Sequence, residues 1–201
     1  VNSPAIDVGF KVVDNAALSK AFGVEVIGDT YAVIWTTTPW TLPANQAVSV
    51  NANLEYSLVK TSKGNLIIAS DLLDKTMSRY ELLDFVVLGR TLGRVLCGLP
   101  PNPLHSGVHG YNQLYLKHPF DNRTVPVIYG DHVTTDAGTG LVHTAAAHGN
   151  DDWLVMKANF PNEKPRILMG GDGKFFNSDL VEFAAIRGLD RKEANKVILA
   201  A

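Results

Sequence analysis

Two short segments hold most of the side chains whose types and spacing could do chemistry. The first is Trp35-Thr36-Thr37-Thr38-Pro39-Trp40-Thr41-Leu42-Pro43-Ala44-Asn45, with four hydroxyls, one carboxamide and two indoles in eleven residues. If Thr36–Thr38 end a strand, Thr36 and Thr38 share one face and Thr37 takes the other. Pro39 and Pro43 stiffen the chain that follows. Such a loop holds neutral donors and acceptors in fixed places around a polar ligand. By composition alone the threonines are better read as ordinary strand-end residues, because Thr suits strands.

The second segment is Gly138-Thr139-Gly140-Leu141-Val142-His143-Thr144-Ala145-Ala146-Ala147-His148-Gly149-Asn150-Asp151-Asp152-Trp153. A short apolar strand delivers His143, a loop of small residues follows, and an acidic helix start presents Asp151 or Asp152. Small residues let a ligand approach the backbone closely. An Asp in this place suits an ammonium group through a charge-assisted bond. Taken singly, His143 reads as a core histidine and the two acids as helix-start residues. Gly138 and Gly140 lack the third glycine and the strand–helix register of a dinucleotide site. A metal hydrolase using His143, His148, Asp151 and Asp152 is a rival reading, weakened by Gly149, which argues against a regular helix across the two histidines.

The elements that must position these groups are mostly strands. Tyr31–Trp35 is β-branched and aromatic, and Glu55–Lys60 and Asn65–Ala69 flank Thr61-Ser62-Lys63-Gly64 as a hairpin. Phe85–Leu88, Leu114–Leu116 and Val125–Tyr129 continue the pattern. Leu99-Pro100-Pro101-Asn102-Pro103 is the clearest break. Four helices are expected: Ser70–Tyr80 with Ser70 as N-cap, Asn150–Phe160, Ser178–Arg187 closed by Gly188, and Asp190–Ala201. The last carries Asp190 and Glu193 at capping-box spacing. The fold expected is mainly β with peripheral helices, a barrel or sandwich.

Composition bounds the rest. The chain has 201 residues, 46% hydrophobic and 19% charged, which fits one folded domain, residues 1–201, with a core of its own. Its 18 basic and 20 acidic side chains give a net charge of −2. A module that grips RNA alone relies on surplus Lys and Arg, so a non-catalytic RNA-positioning role draws little support. If RNA is the partner, most of the grip comes from elsewhere. Cys97 is the only cysteine, which rules out an intrachain disulfide and suits a small core residue. No apolar run nears the roughly 18 residues that span a bilayer, and Val1–Phe10 lacks the basic-then-apolar order of a signal peptide. A cytoplasmic protein without a membrane partner is expected, an organellar matrix staying open. The absence of an initial Met suggests a piece of a larger protein.

Together the two segments resemble the paired motifs of the editing domain of isoleucyl-tRNA synthetases. The first is similar to that domain's threonine-rich motif. The second is similar to the motif in which a His and an Asp nine positions later line the pocket, here His143 and Asp152. The paralogous valyl and leucyl enzymes usually carry Arg where this chain has Thr38, and differ at Trp40 and Asn45. The flanks agree: Asn2–Val13, His118-Pro119-Phe120, Gly130-Asp131-His132-Val133 and Asp172-Gly173-Lys174-Phe175. One departure stands out, Ala146 where the family usually has Pro, which predicts a looser loop.

The resemblance implies a β-barrel core of the kind shared by valyl, isoleucyl and leucyl editing domains. It implies hydrolysis of valine wrongly attached to the tRNA for isoleucine. The partners implied are the aminoacylated 3′ end of that tRNA and the catalytic domain of the same synthetase. No cofactor is expected here; ATP serves the parent enzyme, whose nucleotide-binding signatures this chain lacks. Valine and isoleucine differ by one methylene, worth only about 1–3 kcal/mol in a pocket, and this pair is itself the standard illustration of that limit and of double-sieve editing. The implied roles are specific. Asp152 binds the α-ammonium group. Thr36, Thr37, Thr38 and Thr41 surround the ester and a water. Asn45 shapes the site, Trp40 forms its apolar side, and His143 marks the wall that excludes isoleucine. No Ser-His-Asp arrangement is apparent, so a general-base role for His143 is the weaker assignment.

Overall fold

The computed structural model describes residues 5–99 and 112–201. Residues 1–4, at the start of the Asn2–Val13 flank, and most of the proline-rich break lie outside the described residues.

The first unit sets the pattern. Strand β1 (Ile6–Val12) alternates, turning Phe10 and Val12 into the core. Helix α1 (Asn15–Phe22) starts where the Asp14 carboxylate accepts from the Ala16 and Ala17 amides at 2.8 and 3.1 Å. It ends at Gly23, whose φ of 66° is the left-handed conformation glycine reaches without strain. Strand β2 (Thr30–Thr36) returns antiparallel to β1, with Gly9 opposite Val33. Neither β1 nor α1 was expected from the sequence.

Seven further strands follow: β3 (Ala47–Val50), β4 (Glu55–Thr61), β5 (Gly64–Ala69), β6 (Val86–Leu92), β7 (Tyr115–Lys117), β8 (Thr124–Tyr129) and β9 (Val142–Thr144). They form one sheet in the order β6-β4-β5-β2-β1-β7-β8-β3-β9. Pairing is antiparallel except for β2 with β5 and β3 with β8. The hairpin at Thr61–Gly64 is as expected. The mainly β architecture with peripheral helices is borne out, but the barrel is not closed. Strand β9 is three residues long and lies beside β2 without pairing to it. The loop before it makes the junction instead: Ala69 N donates to Thr139 O at 2.9 Å, and the buried Tyr56 hydroxyl to Gly140 O at 2.7 Å.

The helices correct two expectations. Ser70 opens a 3₁₀ turn, Ser70–Leu72, ahead of α2 (Leu73–Arg79). It is not a side-chain cap, because its hydroxyl bonds the Ser57 hydroxyl on β4 at 2.8 Å. Ser178–Arg187 is not a helix and contains only a short 3₁₀ turn, Ala184–Ile186. Its end bonds across the chain: Gly188 N donates to Phe175 O and Phe175 N to Leu189 O. These tertiary bonds, with Val181 and Ile186 buried, replace a helical ladder. A short α3 (Gly93–Leu96), α4 (Asn150–Asn159) and α5 (Arg191–Ala200) complete the chain. Helix α5 carries the expected capping box between Asp190 and Glu193, a feature worth about 1 kcal/mol.

A main core runs under β1, β2, β4 and β5, and a small second cluster of Ala47, Ile128, Ala146 and Met156 seats α4 on β3 and β8. Cys97 packs half-buried against the main core, and burial pushes its thiol up to about 11. No described helix is long and apolar enough to cross a membrane.

Candidate active site

Strand β3 is the element that brings the two motifs together. It leaves the threonine-rich segment directly and pairs antiparallel with β9, setting Ala47 opposite Thr144 and Val48 opposite His143. Gln46 N donates to Thr144 O at 2.9 Å, and the buried Ser49 and Thr144 hydroxyls meet at 2.7 Å. Asn45 and His143, 98 positions apart in the chain, are thereby placed side by side.

The threonine-rich segment is a strand end followed by a 3₁₀ helix, Pro39–Ala44. The strand stops at Thr36, whose Oγ1 accepts from Thr38 N at 3.0 Å. Thr38 therefore turns away from strand geometry, with φ −130° and ψ 62°, and the expected sharing of a strand face by Thr36 and Thr38 does not apply. Thr36 and Thr41 are buried, Thr38 is half-buried and Thr37 is exposed.

The protons around His143 can be assigned. Thr41 Oγ1 donates to Thr38 O at 2.8 Å, so toward His143 it must accept; it lies 2.8 Å from Nε2. Asn45 Nδ2 donates to Ala47 O at 2.8 Å and, at 2.7 Å, to Nδ1. The imidazole is neutral, with its proton on Nε2, and both ring nitrogens are engaged within the protein. Burial, aided by the nearby His118 and His148, lowers its pKa to about 3. Asn45 Oδ1 is buried and has no hydrogen-bond partner among the described residues.

Asp152 sits in the first turn of α4, whose N-cap is Gly149 and which has no side-chain cap. Its Oδ2 accepts from Ala145 N at 2.9 Å, two residues beyond His143. Burial raises the Asp152 pKa against the opposing effects of the Ala145 amide and His132. Asp151 is exposed. The loop that carries Ala146 instead of Pro is closed by His148 N donating to Ala145 O at 2.9 Å, and by the Asp152 bond. Trp40 packs edge-on against His148, ring centroids 5.0 Å apart, with the Arg191 guanidinium 5.9 Å from its own ring. Trp40, Ala146 and His148 help line a cavity of about 590 Å³ that reaches Ile167 and Arg191. A second cavity, of about 570 Å³, holds none of the predicted site residues; Gln46, Arg123 and Phe160 are on its wall.

Thus Thr36, Thr38, Thr41, Asn45 and His143 form one hydrogen-bonded chain, while Asp152 bonds Ala145, two residues beyond His143, Trp40 packs on His148, and Thr37 is exposed. Metal ligation by His143 finds no free ring nitrogen, and no group of three or more His, Cys, Asp or Glu side chains is gathered to hold a metal among the described residues. Sequence reasoning passed over His118, Asp121 and Arg123, which grip the threonine-rich turn from behind. The only signal was the flank His118-Pro119-Phe120, noted without a role.

The fold is that of aminoacyl-tRNA synthetase editing domains. The P. knowlesi cytosolic leucyl-tRNA synthetase editing domain superposes with a TM-score of 0.65 at 11% identity, covering 96% of this chain and 91% of that one. A P. falciparum counterpart gives 0.59 at 12% identity, covering 98% and 95%. By sequence the chain is a homologue of an internal region of isoleucine–tRNA ligases. It is 56% identical to that of Chromobacterium violaceum over 174 residues, and 44% identical to that of Neisseria meningitidis over 200 residues. Those alignments take in 86% and 98% of this chain but only 17% and 19% of the relatives, so the chain spans about a fifth of their length. No protein-family model matches the chain.

Proposed function

We propose that this chain works within an isoleucine–tRNA ligase in the cytoplasm and hydrolyses the ester of valine wrongly attached to the tRNA for isoleucine. The observation that carries the reading is the fixed, neutral His143, held between Thr41 and Asn45 where the two motifs meet. A ring with no free nitrogen is suited to be a wall rather than a base. Overpacking a rigid pocket is costly, so such a wall discriminates by size.

In this reading Asp152 pairs with the valyl ammonium and sets where the ester carbonyl lies. Hydroxyls of Thr36, Thr37 and Thr38 orient the ester and a water, while the Thr41 hydroxyl, engaged between Thr38 O and His143 Nε2, fixes the ring. The water oxygen attacks the carbonyl carbon and the bond to the ribose oxygen breaks; one water proton goes to the ribose oxygen and the other to solvent, leaving the valine carboxylate and a tRNA with a free ribose hydroxyl. Asn45 holds the wall, and Trp40 forms the apolar side. An ester is already activated, so positioning and neutral dipoles supply most of what hydrolysis needs.

The test is valyl-tRNA deacylation by the full-length ligase and two variants. Asp152→Ala is expected to slow it about 100-fold, and Asp151→Ala to leave it near the parent rate. A crippled Asp151→Ala beside an active Asp152→Ala would move the anchor to Asp151 and overturn the assignment to Asp152.

A further inference from the structure

A second, largely buried polar cluster, made of residues outside the two motifs, holds the threonine-rich turn. Three carbonyls of the turn are met by side chains from the connection between β7 and β8. His118 Nε2 donates to Leu42 O at 3.0 Å. Arg123 donates from Nη2 to Pro43 O at 3.0 Å and from Nη1 to Asn45 O at 2.9 Å. Asp121 anchors the guanidinium: its Oδ2 accepts from Arg123 Nε and Nη2 at 3.0 and 2.8 Å, and it lies 3.1 Å from His118 Nδ1, which is also 3.3 Å from the Phe120 amide.

The cluster is built, not incidental. The His118 and Asp121 side chains are 0% and 6% exposed, and the His118 ring sits edge-on to Phe10 and Phe120. Burial alone would raise the Asp121 pKa; the hydrogen bonds from His118 and Arg123 outweigh it and hold the carboxyl below its usual range. The gripped carbonyls lie at the C-terminal end of the 3₁₀ turn, where carbonyls run out of donors within the helix; Leu42 O also accepts from Asn45 N at 2.9 Å. The gripped carbonyls lie next to Thr41 and on Asn45, the two residues whose side chains fix His143.

We infer that His118, Asp121 and Arg123 are positioning residues for the proposed hydrolysis, holding the carbonyl end of the threonine-rich turn so that Thr41 and Asn45 keep His143 in place. The kinetic half of the inference rests on the editing reading above; the geometric half does not. Loosening the grip displaces the threonine-rich turn, which moves the hydroxyls that orient ester and water and so lowers turnover, and it lets the imidazole shift, which relaxes the exclusion of isoleucine. A role confined to stability would leave that selectivity unmoved.

The experiment compares Arg123→Lys, His118→Leu and His118→Gln in the full-length ligase. Lysine keeps the charge but cannot span two carbonyls and a carboxylate at once. Glutamine keeps an N–H for Leu42 O; leucine does not. Arg123→Lys and His118→Leu are expected to lower kcat on valyl-tRNA about 10- to 100-fold with KM unchanged, and to raise the ratio of isoleucyl- to valyl-tRNA hydrolysis. His118→Gln is expected to restore both. The ¹⁵N signals of the His143 ring, read on the 201-residue chain, are expected to leave the single Nε2–H tautomer in the first two variants and keep it in the third. Parental kcat and selectivity in folded Arg123→Lys and His118→Leu would overturn the inference. If the parent itself does not hydrolyse valyl-tRNA, the editing reading fails, and unchanged His143 signals would then overturn the positioning role separately. Should His118→Leu not fold, Arg123→Lys alone carries the test.

Discussion

His143 is a side chain whose surroundings argue against the role its chemistry first suggests. A histidine beside an ester invites a general-base assignment. Here Nε2–H points at Thr41 Oγ1 and Nδ1 receives the Asn45 amide. In the full-length enzyme, His143→Ala is therefore expected to begin hydrolysing correctly charged isoleucyl-tRNA, at least about tenfold above the parent, while valyl-tRNA hydrolysis persists. Deacylation time courses on both substrates check this; a folded variant inactive on both would restore His143 as a catalyst. Its depressed pKa has a second consequence. Between about 6.5, the unperturbed value, and about 3, its value in the folded chain, the unfolded state binds the proton and the folded state does not. Stability is then full above about pH 6.5 and falls with acid, by about 1.4 kcal/mol per pH unit in that window. Denaturation curves from pH 7 to 4 should fall less steeply for His143→Gln. Asp121, whose pKa is lowered, adds its own loss only once the pH drops below the ordinary carboxylate value of 3.8. Asp152 offers a separate test of charge: Asp152→Asn preserves an acceptor for the Ala145 amide but loses the ammonium partner. It is expected to lose about as much activity as Asp152→Ala in the same deacylation assay; parental activity would assign Asp152 to the loop alone.

At the scale of elements, the loop from Gly138 to Leu141 ties the start of β9, which is paired with β3, to β4 and β5 as well. Gly140 has φ +77°, and an added Cβ would lie 2.3 Å from the Ala69 Cβ. Gly140→Ala is thus expected to cost about 2 kcal/mol or more, through strain and overpacking, and to lower Tm with editing falling in step; an unchanged Tm would contradict the role given to this junction. Local chemistry was the part of the fold legible in the sequence. Asp190 and Glu193 mark α5, Lys63-Gly64 marks the hairpin, and His143 falls on the short strand expected for it. What depended on distant partners was not legible. Ser70 reads as a cap until Ser57 takes its hydroxyl, and Ser178–Arg187 reads as a helix until Phe175 takes its end. Strand β3 is four residues long with Ser49 in its middle, too short to show a period, yet its register against β9 is what assembles the site. The site residues were named in the sequence through two motifs. The Asp121 cluster was not, because its value lies in reaching backbone carbonyls some 80 positions away, and no side-chain pattern records that.

For the whole molecule, charge and size set the working context. A net charge of −2 gives no strong electrostatic hold on a polyanion, so the chain is expected to bind aminoacylated tRNA weakly when separate and to act efficiently only where the rest of a ligase presents the 3′ end. Its exposed apolar residues on the edge strand β6, Val86 and Leu92 among them, do not compensate for that missing charge. The proposal as a whole stands on discrimination between two amino acids that differ by one methylene. The most direct measurement is a pair of deacylation time courses, with valyl- and isoleucyl-tRNA both built on the tRNA for isoleucine and the full-length enzyme in catalytic amounts. Rapid release of valine with isoleucyl-tRNA left intact is the predicted result. Equal rates for the two esters, or no release from either, would contradict it.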